Sequence, residues 1–441
     1  MNPKQELLKT EIGKIPEDWS LSILKNICVQ YRGVQTGPFG SQLHQRDYKP
    51  TGTPIITVEH LGENRIIHRN LPRVSDEDRE RLTRYTLCVG DIVFSRVGSV
   101  DRRALVRKDE DGWLFSGRCL RVRPNPTLVD PCFLSWFFGL PAFKEHIRQI
   151  AVGATMPSLN TKLLSNAEVI HPPLPEQRAI ASILGALDDK IELNRQMNAT
   201  LEQIGQAIFK HWFVDFEFPN EDGTPYRSSG GEMVDSELGE VPEGWEVGCL
   251  GDIAENPRRA VKPSEISTNT AYIGLEHMPR KSITLGEWGC AGDVTSGKFQ
   301  FQSEELLFGK LRPYFHKVGI AATDGVCSTD ILVIVPTHPS WFGFVLGHMY
   351  SDELIQYADT ISTGTKMPRA NWKDLAQYEI IVPIVNVAEA FNIKINLITG
   401  IIVSNIHQSR VLAAIRDVLL PKLMSGELRV PATRKLPEVI E

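Results

Sequence analysis

The sequence predicts two mixed α/β (α+β) modules in tandem, joined by two long helices packed as an antiparallel coiled coil, the whole forming a pseudo-two-fold internal repeat. Three observations predict it. The segment Gly13-Lys14-Ile15-Pro16-Glu17-Asp18-Trp19 returns as Gly239-Glu240-Val241-Pro242-Glu243-Gly244-Trp245, at an offset of 226 residues. Further on, Gly153-Ala154-Thr155-Met156-Pro157 returns as Gly364-Thr365-Lys366-Met367-Pro368, at an offset of 211. Behind each module, apolar residues recur in steps of three and four over several heptads, and the two patterns align at the same offset of 211.

The first module takes residues 1–172. Its β-branched runs at 54–58 and 91–95, bounded by Pro, Gly or Asp, predict strands. Trp136-Phe137-Phe138 ahead of Phe143, Ile147 and Ile150 predicts a helix. Pro172-Pro173-Leu174-Pro175 then opens the first long helix, residues 173–213, because proline suits a first helical turn and no later one. A polar stretch containing Gly and Ser, residues 214–236, is expected to be a linker. The second module spans 237–383, with a strand at 331–335. The second long helix takes 384–428, its apolar pattern stopped by Pro421, and the tail 429–441 is expected to be loose. The expected core of the helix pair is Leu187, Ile191, Asn194 and Leu201 on one helix and Ile398, Ile402, Asn405 and Leu412 on the other. Asn194 and Asn405 hold the same place on the two stripes. If the helices run antiparallel about a two-fold axis, these residues meet at its centre, where a buried Asn fixes register at a cost in stability.

Composition narrows the function. The 441 residues are 42% hydrophobic and 23% charged, as in ordinary globular proteins, and the length suits two to three domains. Against 54 Asp and Glu stand 48 Lys and Arg, so the net charge of −6 excludes a globally basic coat while leaving a local basic face open. Seven scattered cysteines without a Cys-x-x-Cys pair argue against zinc or a disulfide framework and for a reducing cytoplasm. Asn392, Lys394, Asn396 and Asn405 interrupt the most apolar stretch, 391–406, so a soluble chain without a membrane span is expected.

Catalytic signatures are missing. Residues 292–298 imitate a phosphate-binding loop in outline, but Phe299 stands where the magnesium-binding Ser or Thr belongs. The histidines show no metal-ligand spacing, and Glu304-Glu305 with Lys310, the one loose nuclease candidate, is expected to be an exposed strand entry. No catalytic residue, cofactor or metal is therefore expected in this chain. Basic residues do cluster. Between 96 and 123, eight of them (Arg96, Arg102, Arg103, Arg107, Lys108, Arg118, Arg121, Arg123) face four acidic ones. In the second module Lys310, Arg312, Lys317 and Lys366 fall in or beside loops, with Tyr314 among them. Cations on matching loops of duplicated modules suit phosphate contacts and guanine readout in double-stranded DNA. From Ile180 to Ile208 a helix rises roughly 42 Å at 1.5 Å per residue, compatible with half-sites one DNA turn, about 34–36 Å, apart.

With Ile15-Pro16-Glu17-Asp18-Trp19 and its repeat, Pro173-Leu174-Pro175-Glu176-Gln177-Arg178, Trp212-Phe213-Val214-Asp215-Phe216 and Pro421-Lys422-Leu423-Met424-Ser425-Gly426-Glu427-Leu428, the chain resembles the specificity subunit of a type I DNA restriction–modification enzyme over nearly its whole length. One departure is Pro383-Ile384-Val385-Asn386, which lacks the Pro-Glu-Gln of the first copy. The resemblance implies two target recognition domains, each reading half of a bipartite DNA target. It also implies docking of two modification (methyltransferase) subunits on the helices, and restriction (translocase) subunits beyond them. S-adenosylmethionine, ATP and Mg²⁺ would then sit on those partners. Gly37-Pro38-Phe39-Gly40-Ser41 also resembles a loop of many first recognition domains. Gly40, Ser41 and Gln42 with Arg96, Arg102 and Arg103 are accordingly expected to line the first DNA face, and Lys310, Arg312, Tyr314, Lys317 and Lys366 the second. A scaffold whose modules bind protein instead would bind without the steep salt dependence that phosphate contacts impose.

Overall fold

A computed structural model of the chain describes residues 7–10, 13–38, 40–153 and 155–431; the expected loose tail lies, from residue 432 on, outside them, as do Phe39, Ala154 and the side chain of Ser41. The chain is a mixture of helix and sheet divided into two compact units, Met1–Asp189 with Ala413–Glu441, and Lys190–Leu412. Both divisions fall inside the two 40-residue helices, Leu174–Phe213 and Val385–Met424, so each unit owns part of each helix.

In the first unit, Ile92–Ser95 is central in a sheet ordered Val34–Thr36, Cys119–Val122, Ile92–Ser95, Arg103–Leu105. Its four residues are fully buried, as β-branched and aromatic side chains on a doubly covered strand should be. One face packs on the helix Pro131–Phe137, where Phe94 meets Phe138 edge-on at 4.9 Å. That helix starts where Asp130 caps the amide of Phe133 and Pro131 fills the first turn. The other face covers a smaller sheet in which Thr53–Ile56 pairs in parallel with Leu114–Phe115. Ser20–Ile23 pairs with Glu168–His171 just before the first long helix begins.

The second unit repeats this plan. Its sheet is ordered Ala254–Glu255, Ile331–Pro336, Leu306–Gly309, Val318–Ile320, and a second sheet again holds one parallel pair, Ala271–Ile273 with Gly325–Cys327. The sequence offsets reappear as strand pairs. Leu7–Thr10 with Gly13–Pro16 becomes Met233–Ser236 with Gly239–Pro242, and Ser20–Ile23 with Glu168–His171 becomes Glu246–Cys249 with Glu379–Val382.

Three details differ from the sequence expectation. The presumed linker is packed: Phe216 and Phe218 are buried against Trp245, 5.6 and 4.9 Å away, and its last four residues are already the strand Met233–Ser236. Pro421 lies inside the second helix rather than ending it. A proline loses one backbone bond, and only three more helical residues follow before Gly426 turns the chain at φ 74°. Finally, Val385–Met424 does have the length and apolar content of a membrane span, although its Phe391, Ile395, Ile402 and Ile406 lie in the core of the second unit.

The polar residues on the helices meet one turn out of the expected register. Within the second unit Asn194 donates to Gln408 Oε1 at 2.9 Å and, at 3.5 Å, to the backbone carbonyl of Asn405. The side chain of Asn405 donates instead to Asn198 Oδ1 at 2.8 Å. Asn194, Asn198, Ile402 and Asn405 are buried and Leu201 and Ile398 partly so, whereas Leu187, Ile191 and Leu412 are only half-buried and join no hydrophobic cluster.

Candidate nucleic-acid interface

Each unit gathers loops at one end of its main sheet. In the first, Ser95 faces Cys119 and Thr36 faces Leu120, so the chains leaving these strands emerge together. Gly37 donates to Cys119 O at 3.2 Å, and a Cβ on it would lie 2.2 Å from Ser116 O, so only glycine lets the backbone at residue 37 lie this close. Arg96 N donates to Arg118 O at 2.8 Å and its guanidinium to Gly117 O at 3.2 Å. The Met156-Pro157 loop is tied to the same place, Leu159 N donating to Arg96 O at 2.8 Å and Gly98 N to Pro157 O at 2.9 Å. In the second unit Ala370 N donates to Lys310 O at 3.0 Å and Arg312 N to Pro368 O at 2.7 Å. Arg96 and Lys310 therefore hold matching positions, each bound to a Met-Pro loop whose methionine is exposed.

The nominated residues divide accordingly. Gly40 is exposed at φ 64° with open space around it, while Gln42 is drawn inward, its Oε1 accepting from Tyr85 at 2.6 Å. Arg102 is exposed beside Ser95. Arg103 is not a surface residue: its side chain is almost wholly buried, donating to Ser135 O at 3.0 Å and Glu63 at 2.6 Å. Burial pulls its pKa below the usual arginine value and Glu63 pulls it back. The reason is strand alternation, which turns residue 103 towards the helix while residue 102 faces out. Arg107, Arg121 and Arg123 are likewise engaged inside the unit, with Asp188 and Asp189, with Arg32 O and Gln35, and with Asp91. Arg118, by contrast, is exposed beside Arg96.

In the second unit Lys310 and Arg312 are half-buried and Lys366 exposed on adjoining loops, and Arg312 Nη2 donates to Lys366 O at 3.3 Å. Tyr314 is exposed at the tip of the turn between them. Lys317 points inward, its Nζ donating to Leu275 O, and burial with nearby Arg280 lowers its pKa. Glu305, expected to be exposed, is buried in a bidentate pair with Arg259 at 2.6 and 2.8 Å. Sequence reasoning missed Arg280, whose guanidinium lies 3.9 Å over the Phe315 ring. Its one signal was the basic pair Arg280-Lys281 after Pro279.

Residues 16–203 match a family described as the type I restriction modification DNA specificity domain. The chain is 25% identical to the MjaIX type I restriction enzyme specificity subunit of Methanocaldococcus jannaschii, over 96% of this chain and 97% of the relative. It is 26% identical to the HindI specificity subunit of Haemophilus influenzae, over 85% and 94% of the two chains. In fold it is similar to the solved S subunit of a type I restriction–modification system from M. genitalium, with a TM-score of 0.54 and 15% identity over 96% and 99% of the chains.

Proposed function

The chain belongs to the specificity subunits of type I restriction–modification enzymes, and from that premise we propose that each of its two units reads one half of a bipartite sequence in double-stranded DNA. The observation that carries this reading is the repeated loop junction, which places Arg96 and Lys310 at matching sheet ends beside exposed Arg118 and Lys366. Arginine and lysine on such loops bind phosphates and, where they reach the major groove, guanine edges. Residues 1–172 and 237–383 would serve as the two recognition domains. The helices around 173–213 and 384–428 would pack as an antiparallel coiled coil about a pseudo-two-fold axis and set the number of unread base pairs between the halves. The amide contacts of Asn194, Asn198 and Asn405 support that packing, since the partner number falls as the first rises.

The chain would act without chemistry of its own. Two modification subunits would dock on the helices, carrying S-adenosylmethionine and methylating adenine, with restriction subunits using ATP and Mg²⁺ beyond them. Ile393, Leu397 and Ile401, four residues apart on the second helix, leave an exposed apolar stripe suited to such a partner. The test is to co-express the chain with its modification subunits in a host lacking them and to map methylated adenines across the genome. A two-part motif with a fixed unread spacer, absent without this chain, is expected. An assembled complex that methylates no such motif would overturn the reading.

A further inference from the structure

In the second unit the segment from Arg312 to His316 is bracketed by two residues in left-handed backbone, Arg312 at φ 52° and His316 at φ 50°, around the short turn Pro313–Phe315. Residues with a Cβ avoid that conformation, and it persists only where surrounding contacts impose it. Here they do. Arg312 N is held by Pro368 O at 2.7 Å, His316 O accepts from Lys281 N at 2.9 Å, and buried His316 meets Tyr350 O through Nε2 at 3.1 Å. Phe315 is gripped beneath Arg280, 3.9 Å away, and the Tyr314 ring stands edge-on to it at 4.8 Å. The outcome is a rigid turn whose apex, Tyr314, is 49% exposed.

Two acidic residues beside this turn are already matched by cations. Asp330 is matched by Arg369 at 2.9 Å and Asp352 by Lys281 at 3.0 Å. Arg280, Lys310, Arg312 and Lys366 form no ion pair among the described residues. An aromatic tip fixed in advance and ringed by unmatched cations fits a polyanion that offers flat apolar groups between its charges, which describes base pairs between phosphates.

We infer that the Arg312–His316 turn is the sequence-reading element of the second unit, with Tyr314 set against a base pair and Arg280 holding a neighbouring phosphate. The inference rests on the DNA-binding reading above and adds a division of labour to it. Because the turn is held rigid before binding, no ordering of the loop is spent on contact, and the ring meets one base step at a fixed depth.

The test uses the full complex with its modification subunits and three chains: unaltered, Tyr314→Ala and Arg280→Gln. Tyr314→Ala should leave thermal unfolding unchanged and relax the methylated motif at one position of one half, discrimination there falling roughly tenfold. The other half and the spacer should stay as they were. Arg280→Gln should keep the motif, weaken binding to all sequences alike and reduce the slope of log affinity against log salt by about 1. A motif unmoved by Tyr314→Ala, or relaxed equally in both halves, would overturn the inference while the bipartite reading stood. An unaltered chain that directs no bipartite methylation would be the failure of that reading itself.

Discussion

His348 is half-buried in the second unit, its ring 4.6 Å from that of Phe344 and 5.1 Å from that of Phe209, and its Nε2 is buried with no partner among the described residues. Burial lowers its pKa from 6.5 to about 3. A depressed histidine contributes stability that is complete above the unfolded value of 6.5 and drains as pH falls towards the folded one. Between pH 6 and 3 the loss should approach about 1.4 kcal/mol per pH unit. Denaturant midpoints measured at pH 7 and pH 5 should therefore separate less in His348→Phe than in the native chain. Arg103 makes a second residue-scale case. With its guanidinium tied to Ser135 and Glu63, Arg103→Gln should lower stability by about 2–4 kcal/mol and leave the recognised sequence alone. A changed methylation motif at unchanged stability would restore it to the DNA face. Charge type was legible in the sequence at such positions and side-chain direction was not: Arg102 and Arg103 are neighbours, and only strand pairing decides which one faces solvent.

The helices show what periodicity can and cannot reveal. Steps of three and four located both, and the matching Asn on each stripe pointed to a polar seam. Its register was not legible, because Asn198, which is not among the expected core residues, accepts the side chain of Asn405 at its Oδ1. Glu202 was also missed. Its carboxylate is buried against Ser282 and Thr284, partners 80 and more residues away that no local pattern reveals. Asn405→Ala should leave Asn198 Oδ1 buried without a donor and reduce stability by about 1–3 kcal/mol. Replacing Asn198 and Asn405 together with leucine should recover much of that loss in chemical denaturation. If the single variant is as stable as the native chain, the amides contribute nothing to the seam. The aromatic cluster of Phe213, Phe216, Phe218 and Trp245 explains why the stretch after the first helix is ordered despite its polar composition: a few large rings offset many Gly and Ser.

For the whole molecule, duplication was the most legible feature, since both offsets return as matched strand pairs in the two units. The surface proposed for a partner was not, because an apolar helical stripe reads the same whether a module or another protein covers it. Leu397, 68% exposed, separates the two. Leu397→Glu should change folding stability by less than about 0.5 kcal/mol yet prevent the modification subunits from co-purifying with the chain. Retained assembly would place them elsewhere. The C-terminal strap of the first unit has a further consequence. Arg429 donates to Asp18 at 2.6 Å and to Glu176 at 2.8 Å, and Leu423 and Met424 enter the core that contains Trp19. The second unit is one unbroken segment and can close as soon as it leaves the ribosome, whereas the first, though begun earlier, must wait for residues 413–431. A chain stopped before residue 413 would thus leave the older half of the protein unfinished and its apolar surface uncovered.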